Sequence, residues 1–301
     1  MIIFSHKFGQ LGNRLFAYAH LIANARANQH RLVNLAFDEY AQYFENTKHN
    51  LFCRYPQSKS AIPVNRLRSL LFILNKGIIK LLRAVSFNNS FFHEVVVADL
   101  PEYQFQRGQY CDLNAPFIQV AFKRKNVLLF GRFFRDYRNL EKYQDEIRDF
   151  FRPTTAIRQN VSQFLLLARQ NAELLVGIHI RRGDYEQFIS GKYFFSQEDY
   201  LRKMRELLTT GDRRTIAFVI CSNEWVNPAV FKGLNFVIGP GHVVKDMYAL
   251  AGCDFIMGPP STYTRWASFY GKTPLLQLES LAQQVSFSQF LTLPPERLFD
   301  F

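Results

Sequence analysis

Between Leu174 and Leu278 the chain alternates short apolar runs with longer amphipathic ones, and this alternation restricts the fold more than any other feature. Leu174–Ile180, Thr215–Cys221, Asn235–Ile238, Asp254–Met257 and Pro274–Leu278 read as strands. Ser196–Leu208, with Ser196 as N-cap before Glu198 and Asp199, reads as a helix, as do Val243–Ala251 and a segment capped by Ser261 and ending at Gly271. Strands joined through helix-length segments lie parallel, so the pattern predicts a parallel sheet covered by helices on both faces.

The N-terminal half opens in the same way. Ile2-Ile3-Phe4 reads as a strand, Gly9–Asn13 as a turn, and Asn13–Asn28 as a helix with Leu15, Phe16, Ala19, Ile22 and Ala23 on one face. Arg31–Phe37 reads as the next strand, with further strands near Ile118–Ala121 and Val127–Gly131. A length of 301 residues accommodates two units, and the change between them is expected between Phe151-Arg152-Pro153 and Leu174, giving domains 1–155 and 156–301.

Chemistry concentrates at the exit of the Leu174–Ile180 strand, in His179-Ile180-Arg181-Arg182-Gly183-Asp184. Arginine presents a planar fork of donors that matches phosphate oxygens and keeps its charge, so the segment suits an anion such as a diphosphate. Parallel sheets bind ligands at the carboxyl ends of their strands. A plain strand exit with solvated arginines explains the same residues. Three other segments invite comparison. Gly9-Gln10-Leu11-Gly12-Asn13-Arg14 is a glycine-bearing turn at a helix N-terminus, where anions are favoured and where Asn13 and Arg14 could reach toward a cleft. Ser222-Asn223-Glu224 follows a strand, and Ser261-Thr262-Tyr263-Thr264 opens a helix whose first amides are unpaired donors. Tight turns and helix caps account for each of these taken alone. Trp266 reads as core.

A net charge of +12 implies acidic partners, whether nucleic acid, anionic lipid or phosphorylated small molecules. No acidic residue occurs between Glu45 and Glu94, whereas eight Lys or Arg do, and Leu67, Leu70, Leu71, Leu74, Ile78, Leu81 and Leu82 fall at helical spacing within that stretch. Such a basic amphipathic segment, Lys48–Arg83, suits an anionic membrane surface or a helix packed on its own domain. The four cysteines lack metal-ligand spacing and read as buried hydrophobes in a reducing compartment. With no leader-like segment and no spanning run, the expected setting is cytoplasmic, at most peripheral at the inner face of a membrane. There is no Walker loop, no complete dinucleotide fingerprint and no Asp-x-Asp pair, so a bound diphosphate is expected to be neutralised by arginines and helix amides without a divalent metal. Nucleic-acid binding explains the charge but none of the motifs.

In combination, Gly9-Gln10-Leu11-Gly12-Asn13-Arg14-Leu15-Phe16 and His179-Ile180-Arg181-Arg182-Gly183-Asp184-Tyr185 resemble the signatures of bacterial α-1,2-fucosyltransferases, within the wider α-1,2/α-1,6/protein O-fucosyltransferase group. Ser222-Asn223-Glu224 and Ser261–Trp266 stand where the two remaining motifs are expected. The resemblance implies an α/β fold of the GT-B type, two facing Rossmann-like domains with a cleft between them. GDP-fucose is then held by the C-terminal domain, and the N-terminal domain lies on the acceptor side. It further implies that Arg181 binds the β-phosphate, His179 and Asp254 contact the guanine, Ser261 and Thr262 lie near the phosphates, and Asn13 lies by the donor or acceptor; Arg182 and Ser222 complete the donor set. Two departures stand out: Arg14 replaces the usual Gln, and Ser222-Asn223-Glu224 replaces Ser-Asp-Asp.

The implied reaction is an inverting, metal-independent transfer of L-fucose from GDP-β-L-fucose to a glycan hydroxyl, on a soluble or lipid-linked acceptor. The alternatives are another GDP-sugar as donor, or a non-catalytic nucleotide-sugar-binding protein of the same fold. Adjacent residues of an extended segment point to opposite sides, so one arginine, Arg181, is expected to face the phosphate while the other pairs with Asp184. Asp184 and Glu186 are the nearest carboxylates for a catalytic base, Glu186 being freer if Asp184 is paired.

Overall fold

The structure, a computed structural model, describes residues 1–57, 92–97, 110–124, 126–209 and 213–294, together with residues 70, 73, 74 and 77. Apart from those four positions and its first residues, the expected basic amphipathic helix lies outside the described residues. Two compact units divide between Thr154 and Thr155.

In the first unit β1 (Ile2–Phe4), β2 (Leu32–Asn34), β3 (Arg54–Tyr55), β4 (Phe92–Val97) and β6 (Asn126–Gly131) form one sheet, in the order β3-β2-β1-β6-β4. All pairings in it are parallel except β2 with β3. The short strands β5 (Cys111–Asp112) and β7 (Phe134–Arg135) pair separately. Helix α1 (Leu11–Ala27) is buried on nearly every side, not along the single face expected from its spacing. It packs against α3 (Tyr137–Lys142), α4 (Gln144–Phe150) and β7, and the Tyr18 ring sits among Phe37, Phe150 and Phe151. The predicted strand at Ile118–Ala121 is instead part of a helix, α2 (Pro116–Phe122), which Pro116 begins with its pre-set φ. Beyond Asn34 the predicted strand turns into a 3₁₀ turn, Leu35–Phe37, capped by the Asn34 side chain.

The second unit contains α5 (Thr155–Ala168), β8 (Leu174–Ile180), α6 (Gln197–Leu208), β9 (Ile216–Ser222), β10 (Phe236–Ile238), α7 (Val243–Ala251), β11 (Phe255–Gly258), α8 (Thr262–Gly271) and β12 (Leu275–Gln277). Its sheet has the order β10-β9-β8-β11-β12, parallel throughout. All seven residues of β8 are buried because the strand is central and covered on both faces, which is why its sequence is a continuous apolar run and not an alternation. Helix α6 starts in a reciprocal Ser196–Asp199 capping box and buries Tyr200, Met204 and Leu207 against the sheet, as the predicted cap and spacing require. No helix among the described residues is long and apolar enough to cross a membrane.

Candidate active site

The strand order of the second unit places a crevice. From central β8 the chain moves outward to β9 and β10, then crosses back to β11 on the other side. The exits of β8 and β11 therefore diverge, and such a switch point is where open parallel sheets receive ligands. His179, Arg181 and Arg182 leave β8 there, Ser222 leaves β9, and Ser261 and Thr262 follow β11 into α8.

At the base of the crevice His179 is buried and its ring stacks on Tyr263, with centroids 4.8 Å apart. Its Nδ1 has no hydrogen-bond partner among the described residues. Burial, and then the nearby charge of Arg181, push its pKa down to about 3, so the imidazole is neutral and can both donate and accept. The backbone of β11 presses on it: a Cβ added to Gly258 would lie 2.9 Å from His179 Cβ and 3.0 Å from its carbonyl oxygen. Gly258→Ala must therefore push the two central strands apart. We expect a loss of about 1–3 kcal/mol, read as a lowered Tm, together with weaker nucleotide binding. Unchanged thermal stability would show that the strands yield without cost.

Arg181 donates through Nη2 to Asp184 (2.8 Å to Oδ1), and its guanidinium lies 5.5 Å over the Tyr185 ring. The Tyr185 hydroxyl donates to the Pro260 carbonyl (2.6 Å), which ties the arginine turn to the loop leading into α8. Arg182 points elsewhere: Nε meets Glu224 (3.2 Å), Nη1 meets the Phe195 carbonyl (3.1 Å), and the guanidinium stacks 4.3 Å over Phe194. The expected division of labour is thus corrected in one respect, since the partner of Asp184 is Arg181 and not Arg182. Glu224, the departure in the second motif, is what holds Arg182. The turn closes through Asn223, which exchanges hydrogen bonds with the Arg182 backbone (2.9 and 3.2 Å) and crowds Gly183, whose φ of +61° favours glycine. Glu186 is exposed in the same turn.

Ser222 accepts the Glu224 amide on its hydroxyl (3.1 Å). Ser261 caps α8, accepting the Thr264 amide (3.1 Å), so the amides of Thr262 and Tyr263 remain beyond the reach of intrahelical acceptors. One predicted residue of this unit is not brought to this group. Asp254 lies before β11, at the opposite end of the sheet, where its carboxylate meets Arg169 (2.9 Å) and the Leu175 amide (2.7 Å). Leu175 and Ile180 are separated by five steps of strand, roughly 16 Å, so Asp254 stands apart from the group at the strand exits. Asn13 belongs to the first unit, at the start of α1, with its carboxamide over Gly9. Arg14 is engaged within that unit by Glu39 (2.8 Å), the Gly9 and Ala36 carbonyls and the Tyr40 ring, which is how its substitution for Gln is accommodated.

Sequence inspection missed Asp246. It is buried in the first turn of α7, accepts the Gly241 amide (3.0 Å), and stands near Gly239 and Cys221 at the strand exits. Burial raises its carboxyl to about 6, with hydrogen bonds from the backbone opposing the rise. An acidic residue in a first helical turn is ordinary, which hid it; the Gly239-Pro240-Gly241-His242 turn before the helix was the available signal. Among the described residues no group of three His, Cys, Asp or Glu is arranged to hold a metal.

The chain thus contains two Rossmann-like units, one carrying an arginine and a helix N-terminus at its switch point. The chain belongs to glycosyl transferase family 11, whose model matches residues 9–284. It is 26% identical over 213 residues to galactoside alpha-(1,2)-fucosyltransferase 1 of Saimiri sciureus, covering 67% of this chain and 56% of that one, and 25% identical to its counterpart in Saimiri boliviensis boliviensis. The chain thus spans about half the length of these curated relatives. Its fold, of the GT-B type expected, is that of solved fucosyltransferases. A variant of Arabidopsis thaliana FUT1 in complex with GDP matches with a TM-score of 0.58 at 11% identity, over 92% of this chain and 70% of that one. NodZ from Bradyrhizobium matches with a TM-score of 0.55 at 14% identity, over 92% and 94%. POFUT1 in complex with GDP matches with a TM-score of 0.53 at 11% identity, over 92% and 97%.

Proposed function

We propose that the chain is an inverting fucosyltransferase that moves L-fucose from GDP-β-L-fucose to a glycan hydroxyl in α-1,2 linkage, without a divalent metal. The observation that carries this is the convergence of Arg181, the first amides of α8, neutral His179 and buried Asp246 on one crevice of the nucleotide-binding sheet. A diphosphate there meets fixed positive charge. A guanine meets the carboxylate of Asp246, an acceptor suited to its N1–H and N2–H₂ edge, and the imidazole of His179. The acceptor oxygen attacks C1 of fucose, the bond from C1 to the diphosphate oxygen breaks, and the electron pair leaves with GDP. Negative charge growing on the departing phosphate is stabilised by Arg181, with Ser222, Ser261 and Thr262 shaping the surrounding backbone. Glu186, exposed beside the motif, takes the acceptor proton, while Asp184 orients Arg181. The first unit, through Asn13, serves the acceptor side. The relatives named for galactosides favour a galactoside acceptor, soluble or lipid-linked, met in the cytoplasm or at an anionic membrane surface through the basic segment.

A donor screen tests this directly. GDP-fucose is expected to be consumed in the presence of a chelator, and GDP but not UDP to bind. Preference for another GDP-sugar would replace fucose in the proposal, and failure of GDP to bind would remove it.

A further inference from the structure

Trp225 is 74% exposed, the most exposed of the large hydrophobic side chains described, and it directly follows Glu224, the residue that holds Arg182. Its exposure is not the looseness of a frayed loop. The Gln197 side chain donates to the Trp225 carbonyl (3.0 Å) and accepts the Asn227 amide (2.9 Å), gripping the backbone on both sides of the buried Val226. Asn223, two residues earlier, is locked to the Arg182 backbone. Among the described residues no ring or cation packs on the indole. A rigid backbone thus presents a bare indole to solvent at the exit of β9, beside the exit of β8.

We propose that Trp225 is a stacking platform for a pyranose ring of the glycan acceptor, a role that rests on the GDP-fucose site proposed at β8. An indole presents a large rigid apolar face and loses little side-chain entropy on binding. One face of a galactopyranose carries only C–H bonds along C3 to C5, while its hydroxyls lie at the edge. The surroundings match that division. The residue directly before Trp225, Glu224, keeps a half-exposed carboxylate while it holds Arg182, a polar acceptor suited to a sugar hydroxyl. A protein partner favours an anchor enclosed by a broader ring of contacts.

The chain holds two tryptophans, and Trp266 is fully buried, so a change in emission on ligand addition reports on Trp225. Lactose titrated into the GDP-loaded protein is expected to shift the emission maximum to the blue, and the shift is expected to vanish in Trp225→Phe. Trp225→Ala is expected to raise the KM for lactose at least about tenfold, leaving GDP affinity and acceptor-independent hydrolysis of GDP-fucose within about twofold, with Trp225→Tyr recovering most of the loss. An unmoved KM in the alanine variant, the result expected if the ring serves a protein partner, overturns the proposal. Failure of the underlying donor site looks different: wild-type protein would neither bind GDP nor hydrolyse GDP-fucose, and the platform would fall with it.

Discussion

Arg181→Ala is expected to lower fucosyl transfer by roughly 10²–10³-fold while the protein stays folded. In the proposed reaction the side chain is the charged donor at the exit of β8, and its loss removes stabilisation where leaving-group charge develops. The ion pair that Arg181 makes contributes little to stability. Its partner Asp184 is largely exposed, an (i, i+3) pair of that kind contributes about 0–1 kcal/mol, and the contact with Tyr185 adds little more. Arg182→Ala serves as the contrast. Arg182 braces Glu224, the Phe195 carbonyl and Phe194, so its removal is expected to lower Tm more and the chemical step less. Measured kcat for transfer, alongside thermal denaturation of both variants, separates the two roles. Near-normal turnover by Arg181→Ala would falsify the assignment.

A second variant should improve stability while damaging binding. Burial raises the Asp246 carboxyl from an ordinary 3.8 to about 6, so folding favours its protonated form. For a raised carboxyl the sign is definite: its contribution is intact below about pH 4, erodes as pH rises toward 6, and is lost above that. The penalty at neutral pH is on the order of 2–3 kcal/mol. Asp246→Asn keeps the acceptor for the Gly241 amide and cannot ionise. Its Tm is therefore expected to exceed that of wild type by several degrees at pH 7.5 and to match it near pH 4. GDP affinity is expected to fall by about 10–100-fold, because a charged acceptor for the guanine edge has become half donor. The wild-type affinity should itself decline as pH drops below 6. An unchanged Kd for GDP in the variant would place the base elsewhere.

Much of the second unit was legible beforehand, for reasons that particular residues make clear. The continuous apolar run of β8 signals a strand buried on both faces, and Ser196 with Asp199 marks a helix start that needs no tertiary help. Ile118–Ala121 reads as a strand because so short a run, three apolar residues around Gln119, does not separate a strand from a helix, and only Pro116 before it marks the helix. His179, Arg181, Ser222, Ser261 and Thr262 all lie at or just beyond the C-terminal ends of β8, β9 and β11, because each adjoins a run that reads as a strand. Asp254 adjoins the same sheet at its other end, because it precedes β11 where the others lie at the ends of their strands or beyond.

The residues alone determined that a parallel α/β sheet would carry an arginine-bearing turn at the end of its first strand, since periodicity and caps act over a few residues. Only the tertiary structure decided which arginine meets Asp184, that Glu224 restrains the other, and that Asp246 instead of Asp254 stands at the C-terminal end of the strands. Those outcomes depend on partners as far as 42 or 85 positions away, brought together by the order β10-β9-β8-β11-β12. Local chemistry sets which strands form; their order in the sheet sets which side chains share a crevice.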